Sequence, residues 1–285
     1  MKLFCFGFGY SAAALATRLH GRADVAIAGT RTRATTDTTD GIPIAAYQSD
    51  ARSPAVIDLL TGATHVLISI PPDIEGCAAL RHFGDDLAAL PSLVWVGYLS
   101  TIGVYGDHKG AWIDEDTPVK PASERSLRRW QAEQGWRSFG QASRKSVQVF
   151  RLPGIYGPGR SVLDNLRAGT AKRMIKPGQV FNRIHVDDIA QALDVAMLRP
   201  TQHDLFNITD DEPCPPEDVV AYGAELLGLP PPPETAFEGA RLSPMAASFY
   251  AENKRVRNSR LKQSLGVSLI YPTYREGLLG ILRAR

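Results

Sequence analysis

Cysteine is scarce in this sequence. The three present, Cys5, Cys77 and Cys214, lie far apart and show neither metal-ligand nor Cys-x-x-Cys spacing. That excludes a disulfide framework, gives no metal site, and fits a reducing, cytoplasmic compartment. An excess of one charge is lacking too: 32 Lys and Arg stand against 30 Asp and Glu, a net +2, which is too little to suggest a nucleic-acid partner. The densest basic run, Lys254-Arg255-Val256-Arg257, reads as solvated surface. Long hydrophobic runs are missing as well. None approaches the ~18 residues of a membrane span, so no membrane partner is expected. The apolar start after Lys2 mimics a secretory leader, but Gly7, Gly9 and Tyr10 interrupt it and no small-residue cleavage site follows. What remains is a chain of 285 residues, 44% hydrophobic, long enough for one large domain with a smaller appendage and apolar enough to fill a core.

The first half alternates strand-like and helix-like segments. Residues 2–7 are a short apolar run closing on glycine, as a buried parallel strand would be. Residues 11–19 read as an Ala/Leu-rich helix and 24–29 as a second strand. A short helix at 54–60, a strand at 65–70, a helix at 76–90 and a strand at 93–99 follow. A long helix at 122–139 leads to a strand at 146–152. This alternation implies an α/β fold with a doubly wound parallel sheet covered by helices on both faces. After residue 150 the pattern loosens to a helix at 187–198, a short strand at 205–208, a helix at 216–227 and the stiff run Pro230-Pro231-Pro232-Pro233. A smaller mixed lobe is expected there. The division is a dinucleotide-binding domain over 1–155 and a substrate lobe over 156–285, interleaved with the first.

The first turn carries chemistry. Gly7-Phe8-Gly9-Tyr10-Ser11-Ala12 fits Gly-x-Gly-x-x-[Gly/Ala] between a strand and a helix. Gly7 permits the tight turn, Gly9 lets backbone approach a pyrophosphate, and Ala12 lets helix pack close to strand. The helix N-terminus then presents free N–H groups to the phosphates. An NAD site places Asp or Glu about 20 residues further on, against the ribose 2′-hydroxyl. Here the second strand ends Ala28-Gly29-Thr30-Arg31-Thr32-Arg33, and no carboxylate occurs between Asp24 and Asp37. A carboxylate repels a 2′-phosphate, whereas arginine grips it as a fork. Arg31, with Arg33 and the Thr30 hydroxyl, therefore favours NADP over NAD; the alternative is two solvated arginines. Ligands of open α/β sheets bind beyond the carboxyl ends of strands, so Ser69, Ile70 and Pro71 should line the same cleft. Asp187 and Asp188 read first as charges at a helix N-terminus.

Later segments carry a resemblance. Leu99-Ser100-Thr101-Ile102-Gly103-Val104-Tyr105-Gly106, Arg151-Leu152-Pro153-Gly154-Ile155-Tyr156-Gly157-Pro158-Gly159, Asn182-Arg183-Ile184-His185-Val186-Asp187-Asp188-Ile189-Ala190, and Phe206-Asn207-Ile208 with Asp211-Glu212-Pro213 resemble, in order, segments of the extended short-chain dehydrogenases/reductases. The resemblance is to the NAD-dependent epimerase/dehydratase branch in its shorter, atypical members. It implies a Rossmann domain with a C-terminal substrate lobe, a hydroxylated small-molecule substrate such as a nucleotide sugar or another anionic compound, and Pro153, Gly154 and Ile155 beside the nicotinamide. Arg160 and Asn165 would meet the substrate's nucleotide or sugar part. Pairing through the long helix is the relatives' route to a homodimer, although Arg125, Arg128 and Arg129 charge that helix heavily.

The resemblance also implies a catalytic Ser/Thr, Tyr and Lys. Thr101 takes the Ser/Thr position, with Ser100 adjacent. The Tyr-x-x-x-Lys pair falls on Glu124-Arg125-Ser126-Leu127-Arg128-Arg129, so Arg125 stands where the tyrosine belongs and Arg129 where the lysine belongs. No tyrosine lies between Tyr105 and Tyr156. Arginine stays protonated and is no ordinary acid/base. Three readings stay open. Tyr156, Tyr105 or His185 supplies the proton; or the arginines bind and polarise an anionic substrate; or the site keeps cofactor binding without redox chemistry, as a sensor or regulatory protein would.

Overall fold

The computed structural model describes residues 1–33, 41–199, 201–238 and 244–284. Its strands are β1 (Lys2–Phe6), β2 (Ala26–Arg31), β3 (Ile44–Ala46), β4 (His65–Ile68), β5 (Trp95–Thr101), β6 (Trp112–Ile113), β7 (Ser146–Leu152), β8 (Gly154–Tyr156), β9 (Arg173–Ile175), β10 (Arg183–His185), β11 (Leu205–Asn207), β12 (Glu234–Ala236) and β13 (Arg255–Val256). The helices are α1 (Tyr10–Leu19), α2 (Pro54–Leu60), α3 (Ala78–Ala89), α4 (Glu124–Ser143), α5 (Val162–Arg167), α6 (Val186–Leu198), α7 (Pro216–Leu226), α8 (Pro244–Tyr250), α9 (Ser259–Ser264) and α10 (Tyr274–Arg283). The chain divides into two compact units. The first holds Met1–Thr101, Glu124–Arg151 and Ile189–Phe206; the second holds Ile102–Ser123, Leu152–Asp188 and Asn207–Arg285.

Seven strands form the central sheet in the order β3-β2-β1-β4-β5-β7-β11. The pairs β1·β2, β1·β4, β2·β3 and β4·β5 are parallel. Strand order reverses beside β1, which puts the switch point, and hence the natural ligand crevice, at the carboxyl end of that strand. The apolar runs read as buried strands have the burial they need: Leu3, Phe4, Cys5 and Phe6 are all inaccessible. Phe4 and Phe6 face one layer, where they meet Val56, Leu60, Phe83, Leu87 and Trp136 from α2, α3 and α4. Between α1 and α6 a charge clamp forms: the Arg22 guanidinium donates to both oxygens of Asp194 at 2.8 Å, and Arg18 Nε donates to the same carboxylate at 3.0 Å.

In the second unit, three two-stranded parallel pairs, β8·β10, β9·β12 and β6·β13, replace a continuous sheet among the described residues. Each strand there has only two or three residues, too few to show a two-residue period. They therefore carry no signature in the sequence. Helix α10 starts at a capping box, Thr273 with Glu276, and packs Tyr274, Leu278 and Ile281 against Tyr156, Leu163 and Val219.

His65 opens β4 with its ring buried, and its Nε2 lies 3.2 Å from the carbonyl of Met197. A carbonyl only accepts, so this nitrogen carries the proton in the neutral ring. Burial holds the His65 pKa below its ordinary value of 6.5. The unfolded chain therefore takes up the proton first as pH falls, and the folded state loses stability below about pH 6.5. Urea denaturation of wild type should show stability falling from pH 7 to pH 5, with a shallower slope in His65→Gln.

Candidate functional site

The crevice predicted by the switch point is occupied by the glycine turn. Gly7 has φ +89°, and a Cβ there would sit 2.8 Å from Ile70 Cγ2 and 3.1 Å from the Ile70 nitrogen. Both the backbone angle and the close approach of the β4 exit demand glycine. The turn is held from β2: the Gly7 N–H donates to Thr30 Oγ1 at 2.9 Å, and the Phe8 N–H donates to the Thr30 carbonyl at 2.6 Å. Beyond it, Gly9 stands at the N-terminus of α1 with no side-chain cap and no acidic residue in the first turn. Open space surrounds the point where its Cβ would be. Ser11 and Ala12 are buried under the turn, while Tyr10 begins the helix half-buried. A helix start of this kind, with free N–H groups and positive dipole end, accepts phosphate.

A cleft of about 530 Å³ opens beside the turn, lined by Gly7, Thr30, Arg31, Tyr47, Ile70 and Pro71 among others. The structure thus brings together the turn, the end of β2 and the exit of β4. Ser69 bonds into the sheet through its N–H to the Phe6 carbonyl. Arg31 Nε donates to the Phe8 carbonyl at 3.1 Å, and its guanidinium lies 5.8 Å from the Phe8 ring centroid. Among the described residues its two terminal nitrogens have no protein partner. The fork is anchored at its base and open at its tips. Arg33 is exposed and does not line the cleft. Three acids also line the cleft, Asp50, Asp73 and Glu75; Arg81 donates to both oxygens of Asp73 at 2.9 and 3.1 Å and lies 3.4 Å from Glu75.

Tyr47 is a wall residue that sequence reasoning missed. It is 4% exposed, its hydroxyl has no partner among the described residues, and burial pushes its pKa up to about 12. Its only signal is position, one residue past the three-residue β3.

In the same unit, β5 ends at Ser100 and Thr101. Ser100 is buried, and its hydroxyl donates to Glu133 Oε1 at 2.5 Å. Glu133 in turn accepts from Arg151 Nε and Nη2 at 3.1 and 2.7 Å. Thr101 is half-buried at the strand terminus. On α4, Arg125 is exposed. Arg129 folds back, with Nη1 donating to the Leu99 carbonyl at 2.8 Å and its guanidinium 5.9 Å from the Tyr98 ring centroid.

The second unit holds the other candidates. Pro153 precedes β8, where the Gly154 N–H donates to the Asn182 carbonyl and Ile155 pairs with Ile184. Tyr156 is buried, its hydroxyl donates to the Thr273 carbonyl at 3.4 Å, and burial pushes its pKa far up. His185 stands edge-on to it with ring centroids 5.2 Å apart. Its Nδ1 accepts the Asp187 N–H, and burial lowers its pKa. The Tyr105 hydroxyl donates to Asn207 Oδ1 at 2.9 Å. Asp188 does more than sit in the first turn of α6: its carboxylate accepts the N–H groups of Ile270 and Tyr271.

Sheet order, the glycine turn and the uncapped start of α1 define a Rossmann-type α/β protein. The family model described as the NAD dependent epimerase/dehydratase family matches residues 87–209, and over that part the chain is similar to the family. A conserved protein of Silicibacter pomeroyi DSS, described as functionally unknown, is 47% identical over 99% of this chain and 98% of its own, with a TM-score of 0.89. Protein YeeZ of Escherichia coli (strain K12) is 27% identical over 226 residues, 76% of this chain and 74% of its own length. The UDP-glucuronic acid 4-epimerase of Bacillus cereus, solved with UDP-glucuronic acid and NAD, covers 100% of this chain and 99% of its own with a TM-score of 0.79. At 14% identity it shares the fold.

Two outcomes check this geometry. Gly7→Ala should cost about 1–3 kcal/mol of stability through backbone strain, read as a lowered Tm. Glu133→Ala leaves Arg151 buried without its partner and should cost about 3–5 kcal/mol, whereas the paired change Glu133→Leu with Arg151→Met should cost clearly less. Urea denaturation of the three proteins decides.

Proposed function

We propose that this protein binds NADP through the Gly7–Arg31 cleft and acts as an NADP-dependent oxidoreductase or epimerase/dehydratase-like enzyme on a hydroxylated, anionic or nucleotide-sugar small molecule. One observation carries the reading: β2 ends on an arginine, the sequence holds no carboxylate from there to Asp37, and the guanidinium is fixed by Nε while its tips have no partner among the described residues. That arrangement favours a 2′-phosphate, which accepts a paired fork, over a free ribose hydroxyl, which wants a carboxylate. The fold-level likeness to an epimerase solved with NAD supports a nicotinamide dinucleotide as the class of cofactor. The cofactor, when bound, supplies hydride transfer.

Within this proposal, Thr101 orients the substrate oxygen, and Arg129, at the family's lysine position, contributes positive charge without titrating. Arg125 stays protonated and so exchanges no proton near neutral pH; being exposed, it serves an anionic substrate instead. Arg125 and Arg129 also support a second reading, a non-catalytic NADP-binding sensor of the same fold, because neither supplies the proton step that the family's tyrosine does.

Calorimetric titration of NADPH and NADH into wild type and Arg31→Ala tests the cofactor. NADPH should bind at least about tenfold tighter than NADH, and Arg31→Ala should erase that preference, as loss of a charge-assisted pair worth about 1.5–3 kcal/mol would do. Equal binding of the two cofactors defeats the proposal. Absorbance at the nicotinamide band, followed across sugars, nucleotide sugars and aldehydes, then separates enzyme from sensor. Turnover supports the first; tight NADPH binding with no turnover supports the second.

A further inference from the structure

The run Pro230-Pro231-Pro232-Pro233 has no part in the cofactor cleft, and the fold leaves it uncovered. It crosses from the end of α7 to the start of β12 within the second unit. Pro230, Pro231 and Pro233 are exposed and Pro232 is half-buried; Leu229, just before them, is 42% exposed. Each proline ring fixes φ near about −65° and pushes the residue before it to extended backbone. Four in a row therefore form a left-handed polyproline helix of about three residues per turn. Pro230 and Pro233 stand one turn apart on the same edge.

Both ends of this ridge are tied down. Gly228, with φ +63°, turns the chain out of α7, and the Leu229 N–H donates back to the Ala224 carbonyl at 2.9 Å. At the far end Glu234 pairs with Arg173 in the β9·β12 ladder, and their side chains meet at 3.0 Å. Between those anchors no backbone N–H among the described residues donates to a proline carbonyl. The ridge is rigid before any partner arrives, which lowers the entropy lost on docking. Its chemistry restricts what can cover it. Proline has no N–H, so a further β-strand cannot pair along the tetrad. The carbonyls only accept, and the rings are flat apolar faces. A surface that fits supplies aromatic rings to pack between the prolines, with indole or phenol donors for the carbonyls. Charge restricts it again: Glu225, Glu234 and Glu238 flank the tetrad, and residues 225–238 contain no Lys or Arg.

We infer that Leu229–Pro233 is a docking ridge for a protein partner whose groove is lined by Trp and Tyr and rimmed by basic residues. The inference rests on neither the cofactor nor the enzyme proposal. The probe is an isotope-labelled WW domain of the kind that reads uninterrupted proline runs in an aromatic-lined groove. It is titrated by NMR with the unlabelled full chain, and a free proline-rich peptide shows that its groove is competent. Saturable shift changes confined to the groove are expected, with displacement by the peptide. The double variant P230A/P233A should keep the wild-type Tm, since both rings are exposed, and bind roughly tenfold or more weakly because the preformed ridge is lost. Leu229→Ala should weaken binding too and decides the matter if the double variant does not fold. Arg31→Ala should bind as wild type does. Absence of binding by the chain while the peptide binds, or binding unchanged in the proline and leucine variants, overturns the proposal. So does self-association in sedimentation that P230A/P233A abolishes, which makes the ridge an interface between copies.

Discussion

Glu133 and Arg151 are both buried, 0% and 2% exposed, and they meet in a two-pronged hydrogen-bonded pair. Taking two charges out of water is expensive, and only good geometry with every remaining polar atom satisfied makes it tolerable. Here Ser100 supplies a further donor to the same carboxylate. The three residues belong to α4, β7 and β5. Their pairing fixes the rotation and height of the long helix over the strand end where Thr101 sits. Everything placed on α4 inherits that register. Arg129, one turn before Glu133, reaches the Leu99 carbonyl because the helix is pinned there, and Trp130 lies over the Arg151 guanidinium at 5.7 Å. The arginines of α4 are therefore presented on a fixed frame. The helix carries arginines at the two positions, and the frame that presents them is intact.

The opposite end of the sheet works by a different constraint. A tight turn leaves β1 under the exit of β4, and only a residue without Cβ fits between them. Thr30 then spends both its hydroxyl and its carbonyl on holding that turn, so its contribution to any ligand is indirect. Arg31, the next residue, is held by Nε against the turn's own backbone. Burial, hydrogen bonding and charge each have one task here: glycine allows the approach, threonine fixes it, and arginine sets the sign of the field at its edge.

Much of this was legible in the sequence. The buried strands showed as apolar runs and α4 as a long polar helix, because regular elements of sufficient length repeat their burial pattern. Arg31 could be singled out because it stands at a known distance from a glycine turn. Other features left no trace. β3, β8 and β10 have three residues each, shorter than any period that could reveal them. β2 runs two residues past the end read from its apolar residues, since tertiary pairing with β3 extends it. Tyr47 looked like an isolated residue and gained meaning from a cleft wall.

The sequence by itself determined the layered α/β class, the glycine turn at Gly7–Ala12 between strand and helix, the lack of a carboxylate between Asp24 and Asp37 and the lack of a tyrosine on α4. These follow from local covalent facts: which side chains exist, at which spacing, with which charge. Only the tertiary structure decided which of those side chains are already occupied. Ser100 is committed to Glu133, Thr30 to Gly7 and Arg129 to Leu99, whereas the tips of Arg31 have no partner among the described residues. Hydrogen-bond partners come from residues as much as 176 positions away, as for Arg18 and Asp194, and contacts of that range depend on how strands and helices pack and not on neighbours along the chain.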